Sequence, residues 1–415
     1  MAIRLLLARL PGESRAAWLD DSDRLRAFRL QRDRRGPVAG DFYRARIQFL
    51  DPALKAAFVN LGNDVIGFLP FDKQHRLREG QDVLARVGRA PAEDKGPKLT
   101  LVSERELDAA RPAWAAPPAA TALPLRLIEG DDLFCWPDTP PNATDPGRGA
   151  DRPGCVTQRL PDRIVCDDRE FLQQLHQRFA AQPAVRARLA LHSGPAPLFD
   201  AGLDARIAAL LTPEVALPGG GYLLIEPVRT LTAIDVNAGQ QRSDAGQPLS
   251  RLVNHAALVP LVEQIRLRDL SGQILVDFLQ PDSRKDRQDL GERLAAALAE
   301  DAVPCHLARI GSSGLAEITR QRRRPPLHEL LCERAGIGGS GWRDSPVAVA
   351  FSLLRQLRAA GPSARAVLEV SGAVELAFKG EARAAFKQAQ KARGGGVSLA
   401  RIVGLADSDS NLRLL

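Results

Sequence analysis

The chain is poor in aromatic residues and in lysine. Phe, Trp and Tyr make up 5% of its 415 residues, with two Tyr, and it has a single Met. Eight Lys stand against 49 Arg. An Arg- and Ala-heavy, Lys-poor composition fits a GC-rich coding sequence, so the arginines alone name no partner. Cysteine is scarce too: five, at 135, 155, 166, 305 and 332, with no C-x-x-C pair. An odd, scattered set of thiols argues against a disulfide framework and for a reducing cytoplasm. The first apolar run is broken by Arg4 and Arg9, which argues against a signal peptide or a membrane span there. What is present is ordinary for a globular protein: 45% hydrophobic and 26% charged residues. Dominant disorder, collagen-like repeats and a bare coiled coil are excluded. The length suits about two to four folding units. A net charge of +7 permits a polyanionic partner without proving one.

Residues 1–35 read as strand, turn, strand and then an Arg-rich stretch expected on a solvated face. From Gly40 to Leu101, short β runs alternate with turn signals at Asp51-Pro52, Gly62-Asn63-Asp64 and Glu79-Gly80. That spacing predicts a small barrel. Residues 106–162 are rich in Pro, Ala, Gly and Asp. They read as a long loop, or a small domain worn down to a linker. Residues 214–324 alternate strand and helix patterns, which predicts an α/β layered core. Pro260 is expected to kink the first of those helices. A last small unit follows Gly341.

Two constellations carry chemistry. Asp235 and Asp277 each end an apolar strand, and carboxylates avoid burial unless paired, hydrogen-bonded or holding a metal. Asp235 and Asn237, two apart, share a strand face. Two Asp and one Asn from strands that could lie side by side make a hard-oxygen site suited to Mg²⁺. The competing reading is that each Asp caps the loop after its strand. In the barrel, a three-residue turn at 62–64 would pair Phe58 with Phe68 and set the rings side by side. Flanked by Arg44, Arg46, Lys55 and Lys95, such a pair is a base-stacking platform. A two-residue turn would instead put one ring in the core. His255 and His306 are singletons and read as structural.

Four runs occur in one order: Leu217-Pro-Gly-Gly-Gly-Tyr-Leu-Leu-Ile-Glu, Thr232-Ala-Ile-Asp-Val-Asn, Arg266-Leu-Arg-Asp-Leu-Ser-Gly-Gln-Ile-Leu-Val-Asp-Phe and Gly314-Leu-Ala-Glu-Ile-Thr-Arg-Gln-Arg. In order and spacing they resemble the ribonuclease E/G family. Ala56-Ala-Phe-Val-Asn-Leu-Gly followed by Gly67-Phe-Leu-Pro resembles that family's S1 domain, an OB-fold module. The resemblance covers most of the chain and implies an α+β multidomain fold. An RNase H-like subdomain, 1–35 with 163–211, is interrupted by an S1-type barrel at 36–105. Residues 106–162 are a linker or the remnant of a 5′-sensor domain. A DNase I-like catalytic subdomain spans 212–330. Residues 331–415 hold a degenerate zinc-link segment and a small C-terminal α/β domain.

The activity implied is that of a cytoplasmic, Mg²⁺-dependent endoribonuclease, with Mn²⁺ also suited to the site. It would cut single-stranded RNA in rRNA or mRNA processing or turnover, leave 5′-phosphate and 3′-hydroxyl ends, and involve no membrane. The resemblance places metal ligands at Asp235 and Asp277, with Asn237 completing the catalytic set. It places RNA binding at Phe58, Phe68 and Lys95, to which Arg44 and Arg46 add charge; Arg320 and Arg322 are candidates for phosphate contact. Three departures stand out. No Arg-Thr sensor pair occurs in 106–162. Ala335 stands where a second thiol should follow Cys332, which argues against zinc and leaves any homodimer without the family's zinc link. Gly311-Ser-Ser-Gly replaces the family's Ser-Arg-Phe-Gly. The chain resembles the short form of the family or a diverged paralogue. The competing readings are a non-catalytic RNA-binding paralogue and a ribosome-assembly factor that kept the fold.

Overall fold

The computed structural model describes the chain apart from residues 1, 33–35, 63, 72–75, 90, 92–95, 111–124, 129–159, 181, 195, 243–247, 335–340 and 362–364; for 109–110 and 125–128 the backbone alone is described. The chain makes two compact units: 1–35 with 161–211 and 327–415, and 36–160 with 212–326.

Strands β1 (Ile3–Leu10), β2 (Glu13–Asp20) and β3 (Leu25–Arg32) form an antiparallel meander that opens the first unit. The Arg-rich stretch expected on a solvated face is β3 itself. Its arginines are engaged: Arg29 lies over the Trp18 ring, and Arg32 reaches Glu13 at 3.3 Å and the Leu330 carbonyl at 2.9 Å.

The second unit begins with the barrel. Strands β4 (Phe42–Asp51), β5 (Ala56–Asn60), β6 (Ile66–Pro70), β7 (Asp82–Arg89) and β8 (Lys98–Leu101) close in the order β4-β5-β6-β8-β7. A closed five-strand barrel is consistent with an OB fold. Alternate residues fill it, among them Tyr43, Ile47, Val59, Leu69 and Leu99. Helix α1 (Glu104–Ala110) starts with a capping box. Ser103 Oγ accepts from Glu106 N at 3.2 Å, and the Glu106 carboxylate accepts from Ser103 N at 2.7 Å. The helix buries Leu107 beside Phe42. Strand β9 (Leu125–Ile128) then pairs with β4. It lies within the stretch read as linker; four residues are too few for a period-two pattern to stand out.

The chain returns to the first sheet with β10 (Arg163–Cys166), α2 (Arg169–Arg178), α3 (Pro183–Arg186), β11 (Leu189–Leu191) and α4 (Ala201–Ala209). The sheet order is β11-β10-β1-β2-β3, with β10 parallel to β1 and β11 parallel to β10.

The α/β core of the second unit follows: β12 (Glu214–Ala216), β13 (Tyr222–Pro227), β14 (Thr232–Asn237), α5 (Leu249–Leu267), β15 (Gly272–Asp277), α6 (Arg284–Ala299), β16 (Cys305–Ile310) and β17 (Leu315–Arg320). The order is β12-β13-β14-β15-β17-β16. β14 and β15 are parallel, and β17 runs against both β15 and β16. So β14, β15 and β16 point the same way. Helix α5 contains Pro260 and runs on to Leu267. Leu261 and Ile265 of α5 and Leu290 and Leu294 of α6 pack with Ile234, Val236, Ile274 and Val276 from one face of the sheet.

The first unit ends with α7 (Leu327–Leu331), β18 (Cys332–Arg334), β19 (Trp342–Asp344), α8 (Pro346–Ala359), β20 (Ala366–Val370), α9 (Gly372–Lys379), α10 (Arg383–Ala392), β21 (Val397–Arg401) and β22 (Asn411–Leu414). β20 is central, parallel to β21 and antiparallel to β22. Arg355 of α8 meets Glu13 of β2 at 2.6 Å. Among the described residues, no helix is long and apolar enough to cross a membrane.

Candidate active site and nucleic-acid interface

Two strand ends build an acidic pair. β14 and β15 are in register, with Asp235 opposite Asp277. Alternation sends Ile234, Val236, Ile274 and Val276 into the core and so turns both carboxylates the other way. Both are exposed, which corrects the expectation that their apolar strands bury them. Like charges directly opposite each other on neighbouring strands repel, and a cation shared between them would reverse that cost. Asn237 Nδ2 donates to Asp235 Oδ2 at 2.5 Å, as their two-residue spacing allows. That bond fixes one oxygen of Asp235 and leaves the other without this load. The donor set fits Mg²⁺, which takes one or two carboxylates and keeps water and phosphate as further ligands. Among the described residues, no group of three or more His, Cys, Asp or Glu is placed to hold a metal ion. An ion here would rest on the pair and on outer ligands.

The backbone around the pair is held from below. Asn254 of α5 is 2% exposed. Its Nδ2 donates to the Leu279 carbonyl at 2.8 Å and its Oδ1 accepts from Leu279 N at 3.0 Å. The chain leaving Asp277 is thereby pinned to the helix. Gly314, at φ +101°, packs on the same segment: a Cβ there would sit 2.3 Å from the Phe278 carbonyl oxygen. Sequence reasoning missed Asn254. The signal was available, since 254, 258, 261 and 265 form one helical stripe whose other members are apolar.

Arg320 does not fit its expected role. It is 3% exposed and shares the inward face of β17 with Ala316 and Ile318. Its guanidinium donates to Asp269 at 2.7 Å, to Asp301 at 2.9 Å and to the Leu270 carbonyl at 3.0 Å. Burial opposes the charge, but the two carboxylates overcome it and hold the group protonated well above its usual range. A buried ion-pair hub on the core face cannot serve as a phosphate contact on the open one. Arg322 is half-buried and donates to the Pro91 carbonyl at 3.0 Å.

On the barrel, Phe58 lies opposite Phe68, the register that a three-residue turn requires. The rings meet edge to face at 5.9 Å. A third ring joins them: Phe49 of β4 stacks on Phe58 at 4.3 Å, 12° from parallel. Phe49 is 43% exposed. Lys98 on β8 pairs with Phe68 across the next strand and is exposed. Phe49, Phe58, Phe68 and Lys98 thus form one row across four strands on the outer wall. Arg46 lies one outward step from that row and meets Asp82 at 2.8 Å; Arg44 lies a further step away and meets Glu104 at 2.7 Å. Lys95 lies outside the described residues.

Residues 156–323 match the Ribonuclease E/G family. The ribonuclease G of Salmonella typhimurium (strain SL1344) is 25% identical over 457 aligned positions, covering 92% of this chain and 93% of its own. The ribonuclease G of Haemophilus influenzae is 25% identical over 86% of this chain and 87% of its own. The ribonuclease E of Nostoc sp. is 28% identical over 73% of this chain and 54% of its own. The match is with the ribonuclease E/G family. The resemblance read from the motifs is therefore borne out. Asp235, Asn237, Asn254, Asp277 and Gly314 all lie within the stretch matched to the ribonuclease E/G family. Cys332 is a buried thiol pushed up to about 12 by burial and by nearby Asp344. Ala335 lies outside the described residues, as does the stretch 106–162 in which a sensor pair was sought, save for α1, β9 and residues 160–162.

Proposed function

We propose that this chain is an endoribonuclease that cuts single-stranded RNA with a divalent cation, Mg²⁺ or Mn²⁺, held by Asp235 and Asp277. The observation that carries the reading is the in-register acid pair on an open sheet face. A cation bound there would polarise a phosphodiester and activate a water for in-line attack. The chain's own residues do the rest. Asn237 holds Asp235 through one oxygen, and Asn254 fixes the segment that follows Asp277. The barrel row takes the bases: Phe49, Phe58 and Phe68 for stacking, Lys98 and, by resemblance, Lys95 for phosphate charge. Arg46 and Arg44 can join only by giving up their carboxylate partners.

The names of the relatives, ribonuclease G and ribonuclease E, support the reaction class. In the same reading the first sheet is the RNase H-like subdomain and the α/β core the DNase I-like one, and the natural substrates are rRNA or mRNA in the cytoplasm. The test is cleavage of a fluorescent single-stranded RNA with Mg²⁺, without it, and after chelation. Cleavage only with the cation, giving 5′-phosphate products, supports the proposal. RNA binding without cleavage at any divalent concentration would overturn it in favour of a non-catalytic RNA-binding protein.

A further inference from the structure

β14, β15 and β16 point the same way, so Asp235, Asp277 and Arg309 sit toward one end of the sheet. Ligands of open α/β sheets bind outside the carboxyl ends of the strands. At about 4.8 Å per strand, β16 lies about 10 Å from β15, with β17 between them. Helix α6 starts at this end too, with six residues between it and β15. Arg284 and Arg287, three apart on its first turns, lie on one side of the helix. They line an open groove of about 260 Å³ between α6 and edge strand β16, together with Gln288, Gly291, Arg309 and Ile310. Gly291 leaves the floor free of a side chain.

The charges in the groove are unbalanced. Its one carboxylate, Glu292, accepts from Gln288 at 2.9 Å. Arg309 meets Glu317 at 3.3 Å across an exposed strand pair. The guanidinium groups of Arg284 and the half-buried Arg287 have no hydrogen-bond or ion-pair partner among the described residues. Guanidinium forks match phosphate geometry and pair with it through two parallel hydrogen bonds.

We propose that this groove binds the phosphodiester backbone of the RNA strand as it runs past the acidic pair. The proposal rests on the reading of that pair as the cleavage site. It assigns Arg284, Arg287 and Arg309 to phosphates that flank the one cut, where the RNA strand turns past the strand ends toward the α6 side of the sheet, opposite the face of the two carboxylates.

The experiment measures the affinity of the full chain for a single-stranded oligoribonucleotide across a salt series, with divalent cation left out. Arg284→Gln, Arg287→Gln and Arg309→Gln are compared with Lys285→Gln, which removes the same charge one position away from the groove lining. Gln keeps helix propensity at 284, 285 and 287 on α6, and melting curves check that each variant, Arg309→Gln on β16 included, folds. Each groove variant should flatten the plot of log affinity against log salt by about 0.7, one phosphate contact on a single strand. Lys285→Gln should leave the slope alone. Groove variants with the parent slope, or Lys285→Gln with an equal loss, would overturn the groove while RNA binding by the parent keeps the ribonuclease reading. A parent that binds no RNA would overturn both.

Discussion

Arg320 carries two carboxylates, Asp269 and Asp301, beneath the α/β sheet. Arg320→Ala strips Asp301 of its guanidinium partner and leaves Asp269 with Arg324 alone, 2.5 Å away. It should cost about 3–5 kcal/mol, the usual effect of breaking a buried pair by removing one partner. Denaturant midpoints measure this, and a loss under about 1 kcal/mol would mean the carboxylates find other partners. The described thiols make a second residue-scale prediction. Burial pushes Cys166, Cys305 and Cys332 up to about 12, with nearby aspartates adding to it. A thiol alkylates as its thiolate. At about pH 8 these three should therefore react slowly in the native protein and quickly once unfolded, and native reactivity should rise toward alkaline pH. Fast native labelling of any of them, read by peptide mass, would contradict that burial. Both features were partly legible. Alternation along Leu315–Arg320 places Arg320 with Ala316 and Ile318, away from the face of Asp277. Its partners were not legible, because Asp269 and Asp301 come from loops 32 residues apart in sequence.

At the scale of elements, the barrel turned on one irregularity. Counting alternately from buried Ile47 puts Phe49 inside. The register shifts between Ile47 and Phe49, so that Ile47 pairs with Val59 but Phe49 with Phe58. A bulge inserts one residue and flips everything beyond it to the other face. Phe49 therefore joins the outer row, which no count along the sequence could show. The sequence tied the partner of Phe58 to the length of the turn that follows it but left that length at two or three residues; the register of Phe58 with Phe68 is that of the three-residue alternative. Phe49→Ala and Phe58→Ala should each weaken RNA binding by about 1–3 kcal/mol, the worth of one stacked base. Because Phe49 is exposed, its loss should cost far less stability than the about 3–5 kcal/mol of a core Phe→Ala. Titration of labelled RNA together with a melting curve separates the two. Unchanged affinity with a collapsed melting temperature would return the rings to the core. The acidic pair was legible in its spacing but not in its exposure. Apolar strand ends signalled burial, whereas only one face of β14 and β15 meets α5 and α6.

At the scale of the whole molecule, the barrel with its aromatic row and the acidic sheet end belong to one compact unit. RNA entry by way of the barrel needs no free 5′ end. The stretch 106–162 offers Arg111, Arg126, Arg148, Arg152 and Arg159 but none beside a Thr. Recognition of a terminal phosphate needs donors pre-organised around a dianion. RNA with a 5′-monophosphate and the same RNA with a 5′-hydroxyl should therefore be cut at nearly equal initial rates at fixed salt. A tenfold preference for the monophosphate would mean about 1.4 kcal/mol of end recognition and a sensor in that stretch. In the proposed mechanism Asp235 and Asp277 together hold the cation that supports RNA cleavage. Its most direct test is single-turnover cleavage of a pre-bound RNA by Asp235→Asn and Asp277→Asn in saturating Mg²⁺, with affinity for the same RNA measured alongside. Each change removes one negative ligand at nearly constant volume. Cleavage should fall by about 100-fold or more in each while affinity stays within about threefold of the parent. Either variant cutting at close to the parent rate would contradict the account.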